Sequence, residues 1–184
     1  PANARARTAI GNALLVQGRG DEAIAAHRDA VRIRPDFADG HAALGMALAR
    51  KGLIEEAVAA YQTAIRLEPT HAKAHFNLAN ALARLDRLAP AVAAFHRAIE
   101  LRPNFADAHC NFANALVRLG RMDQAEPAYR EAIRLDPAHA KAHNNLGDLL
   151  RQRERFDEAI AAFRRAVEAD PAYANAHANL AAAY

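Results

Sequence analysis

The stretch Ala38-Asp-Gly-His-Ala-Ala-Leu-Gly-Met-Ala-Leu-Ala-Arg-Lys-Gly-Leu-Ile-Glu-Glu-Ala-Val-Ala-Ala-Tyr-Gln-Thr-Ala-Ile-Arg-Leu-Glu-Pro-Thr-His71 decides the fold. Ala42, Leu44, Gly45 and Leu48 fall at helical spacing on one stripe, and Ala57, Tyr61, Ala64 and Ile65 on a second. Gly52 breaks between the two. Pro69 closes the pair, because the residue before a proline disfavours the α region.

The same pattern extends in both directions. Pro35, Pro69, Pro103, Pro137 and Pro171 stand at a constant interval of 34 residues. A period of this size marks stacked copies of one supersecondary unit, each burying its apolar face on its neighbours. In register the repeats are 4–37, 38–71, 72–105, 106–139 and 140–173, with a partial sixth from Ala174. Together they predict one all-α array over 4–184.

The columns carry the packing. Ala23, Ala57, Ala91, Ala125 and Ala159 recur, as do Ala30, Ala64, Ala98, Ala132 and Ala166. Gly11, Gly45, Ala79, Ala113, Gly147 and Ala181 form a third small-residue column. Tyr61, Phe95, Tyr129 and Phe163 fill one large column, and Leu14, Leu48, Leu82, Leu116 and Leu150 another. Gly18 and Gly120 take the place of Gly52, whereas Asp86 and Glu154 replace it and are expected to make less relaxed turns. Asp123 with Glu126 reads as a capping box, with Asp21 and Asp157 at the equivalent place. Pro90 falls near a helix start, and Pro127 about three residues deeper.

Composition narrows the function. The 24 basic residues are 21 Arg and only Lys51, Lys73 and Lys141, against 21 acids, a net charge of +3. That near-balance argues against a dedicated nucleic-acid or membrane-surface protein. No run approaches the roughly 18 apolar residues that would span a bilayer, and no signal peptide is visible. Cys110 is the only cysteine, which excludes an internal disulfide and fits a reducing, cytoplasmic setting. The chain has no initiator methionine and stops within a repeat, as expected of a piece of a longer protein.

The period, the Leu-Gly/Ala-Leu and Ala-Phe/Tyr-Ala patterns, and the closing proline resemble the tetratricopeptide repeat. The resemblance implies antiparallel helix pairs stacked in a right-handed superhelix, with first helices lining a concave groove. The chain departs from the family where Trp is common, with His41, His75, His109, His143 and His177, and Arg7 in the first repeat. The phrases at 74–79 (Ala-His-Phe-Asn-Leu-Ala), 142–147 (Ala-His-Asn-Asn-Leu-Gly) and 101–116 are also similar to the repeats of O-linked N-acetylglucosamine transferase. That family implies an asparagine column contacting the backbone of protein substrates. The column here is Asn77, Asn111, Asn145 and Asn179, with Ala9 and Ala43 in the first two repeats.

The asparagines belong to a wider stripe. Lys73, Asn77, Asn80 and Arg84 share one helix face; Asp107, Asn111, Asn114 and Arg118, then Lys141, Asn145, Asp148 and Gln152, repeat it. An Asn side chain offers donor and acceptor together, so a ladder of them can pair with any extended backbone. Lys73, Lys141, Arg84 and Arg118 would add a preference for acidic or phosphorylated side chains. Lys141, Asn145, Asn80 and Asn111 partly resemble a clamp for a C-terminal carboxylate. However, Phe76 stands where a basic residue is expected, and Asn145 where Arg is.

Catalytic and metal chemistry finds little support. The histidine column members are a repeat apart, too far to share one ion. His71/His75 and His139/His143 have i, i+4 spacing but lack the glutamate of the zinc-protease motif. Cys110 has no distinctive partner set. The expectation is therefore a non-catalytic module without cofactor or metal that binds protein or peptide, neither nucleic acid nor membrane. It would be the recognition arm of a larger protein such as a protein glycosyltransferase. The alternative is an assembly scaffold working through convex or terminal surfaces. It includes self-association through the helix of 174–184, whose apolar face holds Leu180 and Tyr184.

Overall fold

The computed structural model describes residues 2–183. Tyr184, expected on the apolar face of the last helix, lies outside them. Among the described residues all regular structure is α-helical and falls into two compact units. The N-terminal unit, Pro1–Leu101, holds α1 (Ala2–Val16), α2 (Gly20–Ile33), α3 (Ala38–Lys51), α4 (Ile54–Leu67), α5 (Ala72–Arg84) and α6 (Leu88–Leu101). The C-terminal unit, Arg102–Tyr184, holds α7 (Ala106–Arg118), α8 (Met122–Leu135), α9 (Ala140–Gln152), α10 (Phe156–Ala169) and α11 (Ala174–Ala182). The first helices α1, α3, α5, α7 and α9 each pack chiefly on the second helix that follows, and α11 packs on α10 and α9.

The turn inside each pair is a Schellman motif. The N–H groups of Arg19, Leu53, Arg87, Arg121 and Arg155 donate to the carbonyls of Leu14, Leu48, Leu82, Leu116 and Leu150. The leucine column and the glycine break are thus two halves of one device. Gly18, Gly52 and Gly120 supply the left-handed residue at φ 77°, 88° and 74°. Asp86 and Glu154 adopt the same conformation at φ 58° and 59°, so these two turns are strained as expected. Asp tolerates the left-handed region better than Glu. Glu154→Gly is therefore expected to stabilise the chain by about 1 kcal/mol, read as a higher urea midpoint at unchanged slope.

The capping boxes do not form. Arg121 occupies the N-cap of α8 without a side-chain bond, and Asp123 lies inside the first turn, as Asp21 and Asp157 do in α2 and α10. There the acids complement the helix dipole. Glu126 instead occupies a column otherwise held by Ile24, Val58, Val92 and Ile160. Its half-buried carboxylate accepts from Arg130 at 2.9 Å, Arg153 at 3.2 Å and Arg155 at 2.8 Å. Burial pushes that carboxyl up, but hydrogen bonds from Arg130 and Arg155 outweigh it and hold it below the usual range. Pro90 is the third residue of α6; Pro127 lies deeper inside α8.

Two of the small-residue columns are fully buried: Ala23, Ala57, Ala91, Ala125 and Ala159, and Ala30, Ala64, Ala98, Ala132 and Ala166, are all 0% exposed, whereas the third column ends in the exposed Ala181. The glycine column lets rings approach closely. A Cβ on Gly45 would stand 2.7 Å from the Tyr61 ring, and one on Gly147 2.6 Å from Phe163. In the first repeat the ring is that of His27, which a Cβ on Gly11 would meet at 2.5 Å.

The histidine column has a structural task. Nε2 of His41, His75, His109, His143 and His177 bonds the carbonyl of the proline six residues earlier at 2.9–3.0 Å. Each ring therefore ties a first helix to the turn before it. The first four of these turns come in two alternating kinds, while Tyr173 in the fifth caps α11 without a side-chain bond. In Arg34-Pro-Asp-Phe37 and Arg102-Pro-Asn-Phe105 the guanidinium lies over the ring, 3.9 and 4.8 Å from its centre. At His71 and His139 the ring instead caps the next helix, Nδ1 accepting from the Ala74 and Ala142 N–H at 3.3 Å. Nε2 of His71 then donates to Asp39 at 3.2 Å, and that of His139 stands 3.3 Å from Asp107. Both nitrogens of His71 are spent on these contacts.

Candidate functional site

The asparagine stripe lies on first helices in both units. In the C-terminal unit Asn114 and Arg118 from α7, Asn145, Asp148 and Gln152 from α9, and Asn179 from α11 line one open depression of about 580 Å³. In the N-terminal unit Asn77, Asn80 and Arg84 from α5 line a smaller one of about 210 Å³ with Met46 and Arg50 of α3 and Tyr61 of α4. Lys73 and Lys141 are exposed in the first turns of α5 and α9, outside the linings of these two depressions. Asn111 is half-buried on α7, also outside them.

In the C-terminal unit the amides are joined sideways. Asn114 Oδ1 accepts from the Tyr129 hydroxyl at 2.6 Å and from Asn145 Nδ2 at 2.8 Å. Asn144 Nδ2 donates to Asn145 Oδ1 at 3.3 Å. Asn179 Nδ2 donates to Asn144 Oδ1 at 3.0 Å and to Asp148 Oδ2 at 3.2 Å, and Arg151 donates to Asp148 Oδ1 at 3.2 Å. The chain ties α8, α7, α9 and α11 together. An amide carries two N–H donors and an oxygen with two lone pairs, so the Asn114 amino group and the Asn179 oxygen remain available to a ligand. The buried Asn144 was not expected. Its only signal was an amide in a column that reads Thr8, Ala42, Phe76, Cys110 and Ala178 in the other repeats.

Other site residues are partly engaged in structure. Arg84 Nη1 donates to the Ala49 carbonyl at 2.9 Å, satisfying the last turn of α3. Asn77 makes no hydrogen bond among the described residues, so its whole amide is free. Cys110 is 2% exposed, and its thiol is pushed up to about 12 by burial, with Asp107 adding and Lys141 opposing. It is not a nucleophile at neutral pH. Among the described residues no three His, Cys, Asp or Glu side chains gather as metal ligands. None of the helices among them is long and apolar enough to cross a membrane.

Comparison with known proteins agrees with the helix-pair architecture. Tetratricopeptide-repeat models match residues 11–52, 47–86, 72–105 and 110–183. Among curated proteins no sequence matches this chain significantly. A crystal structure of MamA is 27% identical, covering 88% of this chain and 95% of that one, with a TM-score of 0.81. YrrB, described as a TPR protein with an unusual peptide-binding site, is 24% identical over 94% of this chain and 89% of its own, TM-score 0.76. PilF of Pseudomonas aeruginosa is 19% identical over 99% and 89%, TM-score 0.87. The last two show the fold alone. With repeat models tiling most of its length over a helix-pair fold, the chain belongs to the tetratricopeptide-repeat family.

Proposed function

We propose that the chain binds extended polypeptide along the asparagine-bearing face of its first helices and performs no catalysis itself. The observation that carries this is the lining of the depressions. The amide of Asn77 in one unit, and those of Asn114, Asn145 and Asn179 in the other, recur on the same helix face and keep unspent donors or acceptors, with Asn80 beside Asn77 in the same lining. Amide groups match peptide groups and read no sequence, so they suit backbone capture. Asn111 is counted with them from its place in the column, and Lys73 and Lys141 extend the face with cations.

The likeness of the phrases at 74–79, 101–116 and 142–147 to O-linked N-acetylglucosamine transferase repeats supports a finer reading. The chain would then be the substrate-recognition arm of a cytoplasmic protein glycosyltransferase.

The test is fluorescence anisotropy against a pool of unstructured peptides, with an Asn77→Ala/Asn145→Ala variant of matched helicity. Each lost hydrogen bond is worth about 1 kcal/mol, so affinity is expected to fall about tenfold or more across unrelated sequences. Unchanged binding would remove the asparagine face from the account.

One observation favours the scaffold alternative. A depression of about 450 Å³ between α8, α9 and α10 is floored by Ile133, Leu146 and Leu150, away from every asparagine of the stripe. For α11, Ala176 is fully buried and Leu180 only half-buried, which leaves self-association to a sedimentation measurement.

A further inference from the structure

The two tyrosines of the large-residue column behave differently. Tyr129 donates its hydroxyl to Asn114 at 2.6 Å. Tyr61, in the N-terminal unit, is 2% exposed, yet its hydroxyl makes no hydrogen bond among the described residues. The reason is visible in the register: Met46 stands where Asn114 stands two repeats later. A thioether is only a weak acceptor. A nearly buried phenol is thus left unpartnered in the wall of the N-terminal depression.

The rest of that lining is rich in donors. Arg50 makes no ion pair among the described residues, and its charge acts on the Tyr61 phenol. Arg84 is held by the Ala49 carbonyl through Nη1 alone, leaving the rest of its fork. Asn77 offers an unspent amide. None of the lining residues is acidic. Burial pushes the Tyr61 phenol well above its ordinary range, with Arg50 only partly opposing, so it stays a donor at neutral pH. The C-terminal depression differs on both counts: Tyr129 is satisfied, and the Asp148 carboxylate lines it.

We propose that the N-terminal depression is an anion subsite, taking the carboxylate or phosphate of an acidic side chain on a bound polypeptide. Tyr61, Arg50, Arg84 and Asn77 are its donors. An oxyanion accepts several hydrogen bonds at once, and bonds to it from guanidinium groups are stronger than neutral ones. The C-terminal depression carries no such preference. The inference rests on the polypeptide-binding reading for its ligand, but not for its chemistry.

Two arms test it on the full chain. Inorganic phosphate is titrated while the Nε–H signals of Arg50 and Arg84 and the Asn77 side-chain amide are followed by NMR. Met46→Asn gives Tyr61 the acceptor that Asn114 gives Tyr129, so phosphate should shift these signals in the parent and about tenfold less effectively in the variant. Tyr61→Phe should act alike; Phe95 and Phe163 already fill that column, so the fold is kept. In the second arm, matched unstructured peptides carry glutamate, phosphoserine or glutamine. Glutamate or phosphoserine peptides are expected to bind about tenfold tighter than glutamine ones, with the preference lost in Arg50→Gln. The stronger of the two acids identifies the source of the anion. A phosphate response absent, or identical in Met46→Asn, overturns the subsite, as does equal binding of acidic and neutral peptides. Phosphate binding without binding of any peptide keeps the subsite and overturns the polypeptide reading.

Discussion

Phe163→Ala is expected to destabilise the C-terminal unit by about 3–5 kcal/mol, the range for emptying a phenylalanine site in a packed core. Phe163 is 0% exposed, and its ring lies where a Cβ on Gly147 would come within 2.6 Å. The glycine backbone fills space that no neighbouring side chain can reclaim, so relaxation into the cavity is limited. Repeat proteins lose stability locally and through nearest-neighbour interfaces. Hydrogen exchange should therefore quicken in α9, α10 and α11 first, with a lower urea midpoint for the whole chain. A loss under about 1 kcal/mol would mean that the ring column is not the core of its repeat.

His27→Phe is expected to stabilise the chain by about 1–3 kcal/mol at neutral pH, because it removes a buried polar group that lacks a partner. His27 is 0% exposed, and neither ring nitrogen has a hydrogen-bond partner. It stands in the column of Tyr61, Phe95, Tyr129 and Phe163, packed on Gly11 as Phe163 packs on Gly147, so a phenyl ring fits. Burial lowers the basicity of the imidazole. Below the ordinary histidine value of about 6.5 the unfolded chain takes up a proton that the folded chain refuses. The wild type then loses up to about 1.4 kcal/mol per pH unit, until the pH reaches the lowered folded value. His27→Phe lacks this loss, so the stability difference should widen from pH 7 to pH 5. The other eight histidines are common to both chains and cancel. Parallel urea curves at the two pH values decide it; a constant difference would contradict the dry burial of His27.

Helices, turns and columns were legible in the sequence because each is fixed by local spacing. Pro35 to Pro171 stop the second helices, and Gly18, Gly52 and Gly120 take the left-handed position. Side-chain partners were less legible, because they depend on which residue faces which across helices. Asp123 and Glu126 have the letters of a capping box, yet Arg153 and Arg155 of the following turn claim Glu126. The asparagine column was readable, but not that Asn145 spends an N–H on Asn114, or that Asn144 joins Asn145 to Asn179. The free hydroxyl of Tyr61 follows from Met46 in place of an asparagine, a difference that acquires meaning only beside the Tyr129–Asn114 bond.

The most direct test of polypeptide capture is to add an unstructured peptide to the uniformly labelled chain and record where signals move. The account predicts shifts in the side-chain amides of Asn77, Asn114, Asn145 and Asn179, with Ile133, Leu146 and Leu150 between α8, α9 and α10 unmoved. Shifts confined to those three apolar residues, with the asparagine amides in place, would contradict it and favour the scaffold.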